Sequence, residues 1–190
     1  MDLSDANKLS SADVAKLLQD PNVENRADAA AKVASTFGTS ELTDGERKIA
    51  EDIFRVMLRD AAVRVRQALS ESLKDNPDVP RDVATSLAQD VDEVAIPLIE
   101  FSSVLTDEDL IGIVRTRDSS VQKAVAGRKD VSEDLADVLA DTGDEEVVAT
   151  LVGNEGARIK ESTFGKVLDK FAGSDIVKAP MAQRGELPIS

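Results

Sequence analysis

The feature that most constrains the fold of this chain is a two-residue pattern that recurs along its length. Each copy is an apolar residue followed by a residue that can begin a helix, and we call it a start pair. The copies are Leu9-Ser10, Leu42-Thr43, Val79-Pro80, Leu105-Thr106, Val131-Ser132 and Leu187-Pro188. Successive copies lie 33, 37, 26, 26 and 56 residues apart, and the last spacing is twice 28 with Ile159-Lys160 near its midpoint. Repeated units of this length predict an array of helix pairs that bury their apolar faces by stacking on neighbours.

Each unit has a first helix, a turn built around Asp, and a second helix. In the second unit, Thr43 and Glu46 have the spacing of a capping box, and an apolar stripe continues to Met57. The second helices share a common frame in which Pro97 and Pro180 are equivalent. We therefore expect both prolines in a first turn, where a missing N–H costs little.

The spacing defines the domain organisation. We predict an N-terminal extension over residues 1–9 and one repeat domain over residues 10–190. The predicted units are 10–39, 40–77, 78–103, 104–129, 130–157 and 158–186, with an irregular boundary around Asn154. Because a new start pair stands near Ser190 with no polar capping helix, we expect the chain to be the N-terminal part of a longer protein.

The composition disfavours several classes of function. Apolar residues make up 42% of the chain but aromatic residues only 3%, all of them Phe, so the core must be aliphatic. Neither Cys nor His is present, which removes thiolate chemistry, the commonest general base and the commonest transition-metal ligand. The acidic runs have the spacing of helix starts, not of a calcium loop. We predict no enzyme activity, no cofactor and no metal site.

The charge indicates what kind of partner the chain would bind. A formal net charge of -14 repels nucleic acid and favours a protein or peptide partner with a basic patch. The N-terminus lacks the pattern of a secretory signal, and no run of apolar residues is long enough to cross a membrane. We therefore expect a cytoplasmic protein without membrane contact, whose oligomeric state the sequence leaves open.

Two segments resemble HEAT repeats. The stretch from Asp60 to Leu73 resembles the turn and second helix of such a repeat, and the stretch from Asp20 to Ala31 is a second match. In that family an Asp and the Arg six residues later form a ladder between repeats, so the resemblance implies structural roles for Asp20 with Arg26 and for Asp60 with Arg66.

The shorter later units, with Asp118 to Val121 and the Val131-Ser132 start pair, look more like leucine-rich-variant repeats. As a whole, residues 10–190 resemble an uncharacterised bacterial family of HEAT-like proteins known only as a domain of unknown function. The resemblance implies an all-α fold, a right-handed α-solenoid of about six helix pairs, and binding to a protein partner.

Two sets of residues are candidate sites. Polar residues off the apolar stripes of the second helices form a predicted partner surface: Arg64, Gln67, Glu71, Glu100 and Gln122. The alternative function is a regulatory module that senses a small anionic ligand, such as a nucleotide, through Arg55, Arg59, Arg115 and Arg117. A simpler interpretation is structural. Arg55 and Arg59 form a cluster with Arg64 and Arg66, and these arginines would pair with Asp52, Asp60 and Glu71 on the helix surfaces. Arg115 would stand at a helix end and Asp118 in the turn of a repeat.

Overall fold

The described part of the chain is helical throughout. A computed structural model describes residues 19–39 and 42–184. Its helices are α1 (Val23–Thr39), α2 (Asp44–Met57), α3 (Val63–Leu73), α4 (Arg81–Ala88), α5 (Asp92–Phe101), α6 (Asp107–Thr116), α7 (Ser119–Ala126), α8 (Glu133–Asp141), α9 (Glu145–Gly153), α10 (Glu161–Lys170) and α11 (Asp175–Gln183). The predicted extension over 1–9, the beginning of the predicted unit 10–39 and the first and last start pairs lie outside the described residues. The expected all-α fold class is confirmed for the described part.

The start pairs mark where the first helix of each pair begins. Their second members are the N-cap residues of α2, α4, α6, α8 and α10, namely Thr43, Pro80, Thr106, Ser132 and Lys160. The predicted capping box is present, since the Thr43 hydroxyl accepts from the Glu46 N–H at 3.4 Å and the Glu46 carboxylate accepts from the Thr43 N–H at 3.0 Å. The apolar members Val79, Leu105, Val131 and Ile159 are buried. Each start pair thus combines a cap with an apolar anchor.

The helices pack in two rows. In one row, α1, α3, α5, α7, α9 and α11 each contact the next member, and we call these the second helices. In the other row, α6 contacts α8 and α8 contacts α10. Cross-row contacts join α2 to α3, α4 to α5, α6 to α7 and α8 to α9. Alternation between rows puts consecutive helices of the chain in different layers.

The core between the rows is aliphatic. Residues such as Leu69, Leu98, Val125 and Leu151 have no exposed surface. The described helices contribute to one continuous cluster of buried apolar side chains. Phe37 and Phe54 add an edge-to-face aromatic pair, with ring centroids 5.1 Å apart. None of the helices within the described ranges combines the length and apolar character needed to cross a membrane.

The expected position of the two prolines is wrong. Pro97 and Pro180 are each the sixth residue of their helix, because α5 begins at Asp92 and α11 at Asp175. The acidic residues ahead of each apolar stripe extend the helix towards its N-terminus, where they interact favourably with the helix dipole. An interior proline removes one backbone hydrogen bond. In both helices the residue four positions earlier is exposed, Glu93 in α5 and Ile176 in α11.

Successive pairs are also joined by a short extended contact. Val131 and Ala157 form an isolated parallel bridge, in which the Arg158 N–H donates to the Val131 carbonyl at 2.9 Å. The Val131 N–H donates to the Gly156 carbonyl at 3.3 Å. The bridge fixes the start segment of α8 beside that of α10. The predicted irregular boundary around Asn154 therefore contains an ordered, hydrogen-bonded link.

Candidate interaction surface

Arginine and aspartate side chains join the N-terminal ends of the second helices. Arg26 on α1 donates to the Asp60 carboxylate at 2.7 and 3.0 Å and to the Asp20 carbonyl at 2.7 Å. Arg66 on α3 repeats this arrangement, with donations to the Asp90 carboxylate at 2.6 and 2.8 Å and to the Asp60 carbonyl at 2.7 Å. We call these contacts the N-terminal ladder. They give Asp20, Arg26, Asp60 and Arg66 the structural roles that the resemblance implies.

The N-terminal ladder continues with other residue types. Arg117, in the turn before α7, donates to the Asp92 carboxylate at 2.6 Å and to the Asp90 carbonyl at 2.8 Å, and the Ser120 hydroxyl on α7 donates to the Asp92 carboxylate at 2.6 Å, which links α7 back to α5. The Ser119 hydroxyl then donates to the Asp144 carboxylate at 2.5 Å, which links α7 to α9. The contacts therefore run without a break from α1 to α9.

The carboxylates of the N-terminal ladder are held in their charged form. The hydrogen bond from Arg26 lowers the pKa of Asp60 from its ordinary value, and the one from Arg66 lowers the pKa of Asp90. Hydrogen bonds from the Ser120 hydroxyl and the Arg117 guanidinium do the same for the pKa of Asp92. Both side chains of the first two ion pairs are mostly buried, with 10 to 16% of their surface exposed. The ladder therefore depends on partly desolvated charge pairs.

A second set of contacts joins the C-terminal ends of the second helices. Arg128 donates to the carbonyls of Ile99 and Ser102, the latter at 2.7 Å. The Asn154 amide donates to the carbonyls of Ala126 and Arg128 at 2.8 and 2.7 Å. Arg184 donates to the carbonyls of Val152, Asn154 and Ala157. In each case a side chain satisfies carbonyls at the end of the preceding second helix, and we call this the C-terminal ladder.

The C-terminal ladder is absent from the sequence-based prediction. Its members share one position, because Arg128, Asn154 and Arg184 each lie ten residues after the N-cap residue of their own helix. That spacing becomes visible only after the helix starts are known. Burial lowers the pKa of Arg128, and its Nε has no hydrogen-bond partner among the described residues.

Most of the predicted partner surface takes part in neither ladder. Arg64 is half exposed and lies 3.6 Å from Glu24 of α1. Gln67 and Glu100 are partly exposed, and Glu71 is exposed. Glu71 and Glu100 are equivalent, since each lies nine residues after the N-cap residue of its helix. Because α3 and α5 pack side by side, the structure brings these two carboxylates to the same face.

Gln122 has a different environment from the other members of that set. Its amide donates to the carbonyls of Val114 at 2.8 Å and Arg117 at 2.9 Å, so it caps the C-terminal end of α6. It lies four residues after its N-cap residue, which is the position that Arg66 has in α3. The side chain therefore takes part in joining α6 to α7.

The four arginines of the alternative site lie in two separate places. Arg55 on α2 pairs with Asp82 at 2.8 Å, Asp52 at 3.2 Å and Glu51 at 3.6 Å. Arg59 is exposed in the turn after α2, and Arg115 is exposed in the last turn of α6. Arg117 belongs to the N-terminal ladder. The pairing of Arg55 with Asp52 agrees with the simpler interpretation, but its main partner, like that of Arg66, belongs to the next helix pair.

A shallow cavity of about 660 Å³ lies beside Arg117. It is lined by Gln89, Asp90, Val91, Asp92, Glu93 and Arg117. Three carboxylates against one guanidinium make the lining acidic, which disfavours an anion. The described residues contain no group of three or more acidic side chains placed to hold a metal ion. The anion-sensing function stays a prediction that no described contact favours.

A comparison with models of protein families identifies the family of this chain. The model of an uncharacterised protein family conserved in bacteria, DUF2336, matches residues 94–190, which is just over half of the chain. The chain belongs to the DUF2336 family. The expected membership of an uncharacterised bacterial family is thereby confirmed. No curated protein and no solved structure matches the chain.

The DUF2336 match covers the later helix pairs. It begins within α5 and includes every residue of the C-terminal ladder. The ion pairs Arg26 to Asp60 and Arg66 to Asp90 lie ahead of it. The C-terminal ladder therefore lies inside the matched segment, whereas the first two ion pairs of the N-terminal ladder lie outside it.

Proposed function

We propose that this DUF2336 protein is a non-catalytic scaffold or adaptor for protein–protein interaction. In this proposal the two rows of helices are part of a right-handed, HEAT-like α-solenoid of about six helix pairs. The binding surface is lined by the second helices, α1, α3, α5, α7, α9 and α11. The proposal rests on the packing of each second helix against the next and on the contact pattern between rows.

One observation carries the proposal. The N-terminal ladder ties α1 to α9 together and the C-terminal ladder ties α5 to α11, while Gln67, Glu71 and Glu100 belong to neither. A row of helices held in this way is a preorganised surface, and preorganisation lowers the cost of binding. The exposed polar face of the row is therefore the part of the molecule best suited to a partner.

The charges on this row indicate the partner. Its exposed or partly exposed side chains include carboxylates on α1, α3, α5 and α9, namely Glu24, Glu71, Glu93, Glu100 and Glu146. Arg64 and Lys123 are both close to carboxylates of neighbouring helices, at 3.6 and 2.6 Å. The surface is acidic on balance, like the chain as a whole. A protein or peptide with a basic patch is the complementary partner, and added salt should weaken its binding.

Affinity capture from a bacterial lysate at low and high salt tests the proposal. The wild-type protein is compared with a Glu71→Lys/Glu100→Lys variant and with a matched Asp169→Lys/Glu155→Lys control. The control makes the same change in net charge at exposed residues on α10 and in the turn after α9. We expect wild type and control to retain a specific partner that the Glu71/Glu100 variant loses. Equal capture by all three proteins, or capture that salt does not weaken, would contradict the proposed surface.

A further inference from the structure

Phe101 is the exposed member of a small set of aromatic residues. The chain has five phenylalanines and no other aromatic side chain. All five lie in the described ranges, and four are in the core: Phe37, Phe54, Phe164 and Phe171 are at most 7% exposed. Phe101, at the end of α5, is 52% exposed. In a chain with so few aromatic residues, a ring left in solvent needs an explanation.

The position of Phe101 in its helix makes the ring more unusual. It lies ten residues after the N-cap residue of α5, which is the position of Arg128, Asn154 and Arg184 in later second helices. Those three side chains cap the preceding second helix, and a phenyl ring cannot donate hydrogen bonds to carbonyls. The ladder contact is therefore absent here, as it is at Ser72 of α3, whose hydroxyl donates to the Ala68 carbonyl of its own helix at 2.8 Å. Unlike Ser72, Phe101 exposes a large apolar ring, and such a departure from local structural rules is expected where a residue serves function.

A lysine lies over the ring and is paired with a carboxylate. The Lys74 ammonium lies 4.7 Å from the centre of the Phe101 ring and 3.1 Å from the Glu71 carboxylate. Glu100 precedes Phe101 in the sequence and is equivalent to Glu71 on the adjacent helix. We call Glu71, Lys74, Glu100 and Phe101 the Phe101 patch. Within it, the chain's own lysine already makes the two contacts that a foreign cation would make, one with a ring face and one with a carboxylate.

We propose that the Phe101 patch binds a segment of a partner protein in which a lysine or arginine stands next to an apolar residue. The partner's cation takes the place of Lys74 between the Phe101 ring and the carboxylates of Glu71 and Glu100. Its apolar neighbour covers the exposed part of the ring. This inference rests on the proposed scaffold function and names the chemistry that the surface recognises.

Two physical considerations favour this occupant. Aromatic side chains flanked by complementary charges are the usual energetic centres of protein interfaces. A second copy of this chain is disfavoured, because two molecules that each carry a net charge of -14 repel each other and a second acidic surface does not complement the carboxylates. A basic segment satisfies both the ring and the charges.

A peptide selection tests the inference with defined probes. A random peptide library displayed on phage is selected on the wild-type protein, and the enriched peptides are synthesised with a fluorescent label. We expect them to combine lysine or arginine with an adjacent apolar residue. Their affinities are then measured by fluorescence anisotropy against three variants of the Phe101 patch, each with a matched control elsewhere. Circular dichroism confirms that every variant is folded.

The three variants have different expected effects. Phe101→Ala should weaken binding by at least about tenfold, whereas Ile176→Ala, at another exposed apolar residue, should not. Glu71→Gln/Glu100→Gln should weaken it by roughly tenfold relative to Asp169→Asn/Glu155→Gln. Lys74→Ala should strengthen it by roughly threefold because the internal competitor is removed. Lys178→Ala makes the same charge change at the ion pair with Asp175 on α11, and should leave affinity unchanged.

The outcomes separate this inference from the proposed function. Peptides that bind the Phe101→Ala and Glu71→Gln/Glu100→Gln variants as tightly as wild type would overturn the inference, and so would enrichment of acidic peptides or of none. The scaffold proposal would still stand in those cases if the lysate experiment captured a partner through the second helices. Loss of that capture as well would overturn both.

Discussion

Replacement of Gly156 by alanine gives a sharp test of how successive helix pairs are joined. A Cβ atom on Gly156 would lie 2.0 Å from the Lys129 carbonyl oxygen and 2.9 Å from the carbonyl carbon. These are backbone atoms, so no side-chain rotation can relieve the contact. The segment around Gly156 would have to move by roughly 1 Å or more before the two groups reached van der Waals separation.

The energetic cost follows from the hydrogen bonds that this movement breaks. The Gly156 N–H donates to the Asn154 side chain at 2.9 Å, and the two bonds of the bridge between Val131 and Ala157 depend on the same segment. At about 1 kcal/mol for each hydrogen bond, with added strain, Gly156→Ala should lower the free energy of unfolding by about 2 to 4 kcal/mol.

Gly112→Ala is the matched control. Gly112 lies inside α6 and has no atom within 4 Å of the position that a Cβ would take. Alanine has the higher helix propensity, so this variant should gain about 0.5 to 1 kcal/mol. Urea unfolding followed by circular dichroism measures both. If Gly156→Ala unfolded at the same urea concentration as wild type or at a higher one, the described link between α8 and α10 would be wrong.

Three further predictions concern the two ladders. Arg66→Met should lower the free energy of unfolding, measured by urea unfolding at neutral pH, by about 2 to 3 kcal/mol, because it leaves Asp90 partly buried without its cation. In an Asp90→Asn background the same substitution should lower it by less. The lowered pKa values of Asp60 and Asp90 mean that the unfolded chain binds more protons in acid. The contribution of these two carboxylates to stability should therefore be constant at pH values well above the unfolded-state pKa of about 3.9, and should be lost as the pH falls through their lower folded-state pKa values. The dependence should be weaker in Arg66→Met. Thermal unfolding measured at a series of pH values checks both expectations. Asn154→Ala should lower the free energy of unfolding, measured in urea, by about 1 to 3 kcal/mol, because it removes the cap on α7. Peptide affinity at the Phe101 patch should not change. An equal loss of affinity would show that the two regions are not independent.

Local chemistry made the helix starts predictable. Thr43, Thr106 and Ser132 cap helices through their own side chains, and that preference is a property of a few adjacent residues. Even Lys160, which follows a weak start pair, is the N-cap residue of α10. The apolar residue before each cap is buried or, for Leu42, partly buried against the core, so the same two-residue pattern also indicated where each unit enters the core.

Contacts between units could not be predicted in the same way. The simpler interpretation paired Arg55 with Asp52, but the shortest contact of Arg55 is with Asp82. The resemblance implied a ladder through Arg66 without giving Asp90 as its carboxylate partner. Those partners depend on how far one helix pair is displaced relative to the next, which no local pattern encodes. The same dependence concealed the capping role of Gln122 and the contacts of Arg128.

The exposed ring of Phe101 illustrates a different limit. A phenylalanine in an apolar stretch is ordinarily expected in the core. Phe101 is the last residue of α5, with Ser102 as the C-cap residue, and its ring is exposed. Only the structure shows that this ring stands where the later units have a capping side chain, and that it lies in solvent beside Lys74.

Site-specific photo-crosslinking in the bacterial cell tests the central claim most directly. The photoreactive residue p-benzoylphenylalanine replaces Gln67, in the middle of the second-helix row, and in a separate variant it replaces Lys166 on α10. We expect a specific crosslinked partner, with a basic surface, from position 67 and none from position 166. The same crosslinks from both positions, or a partner found only from position 166, would contradict binding through the second helices.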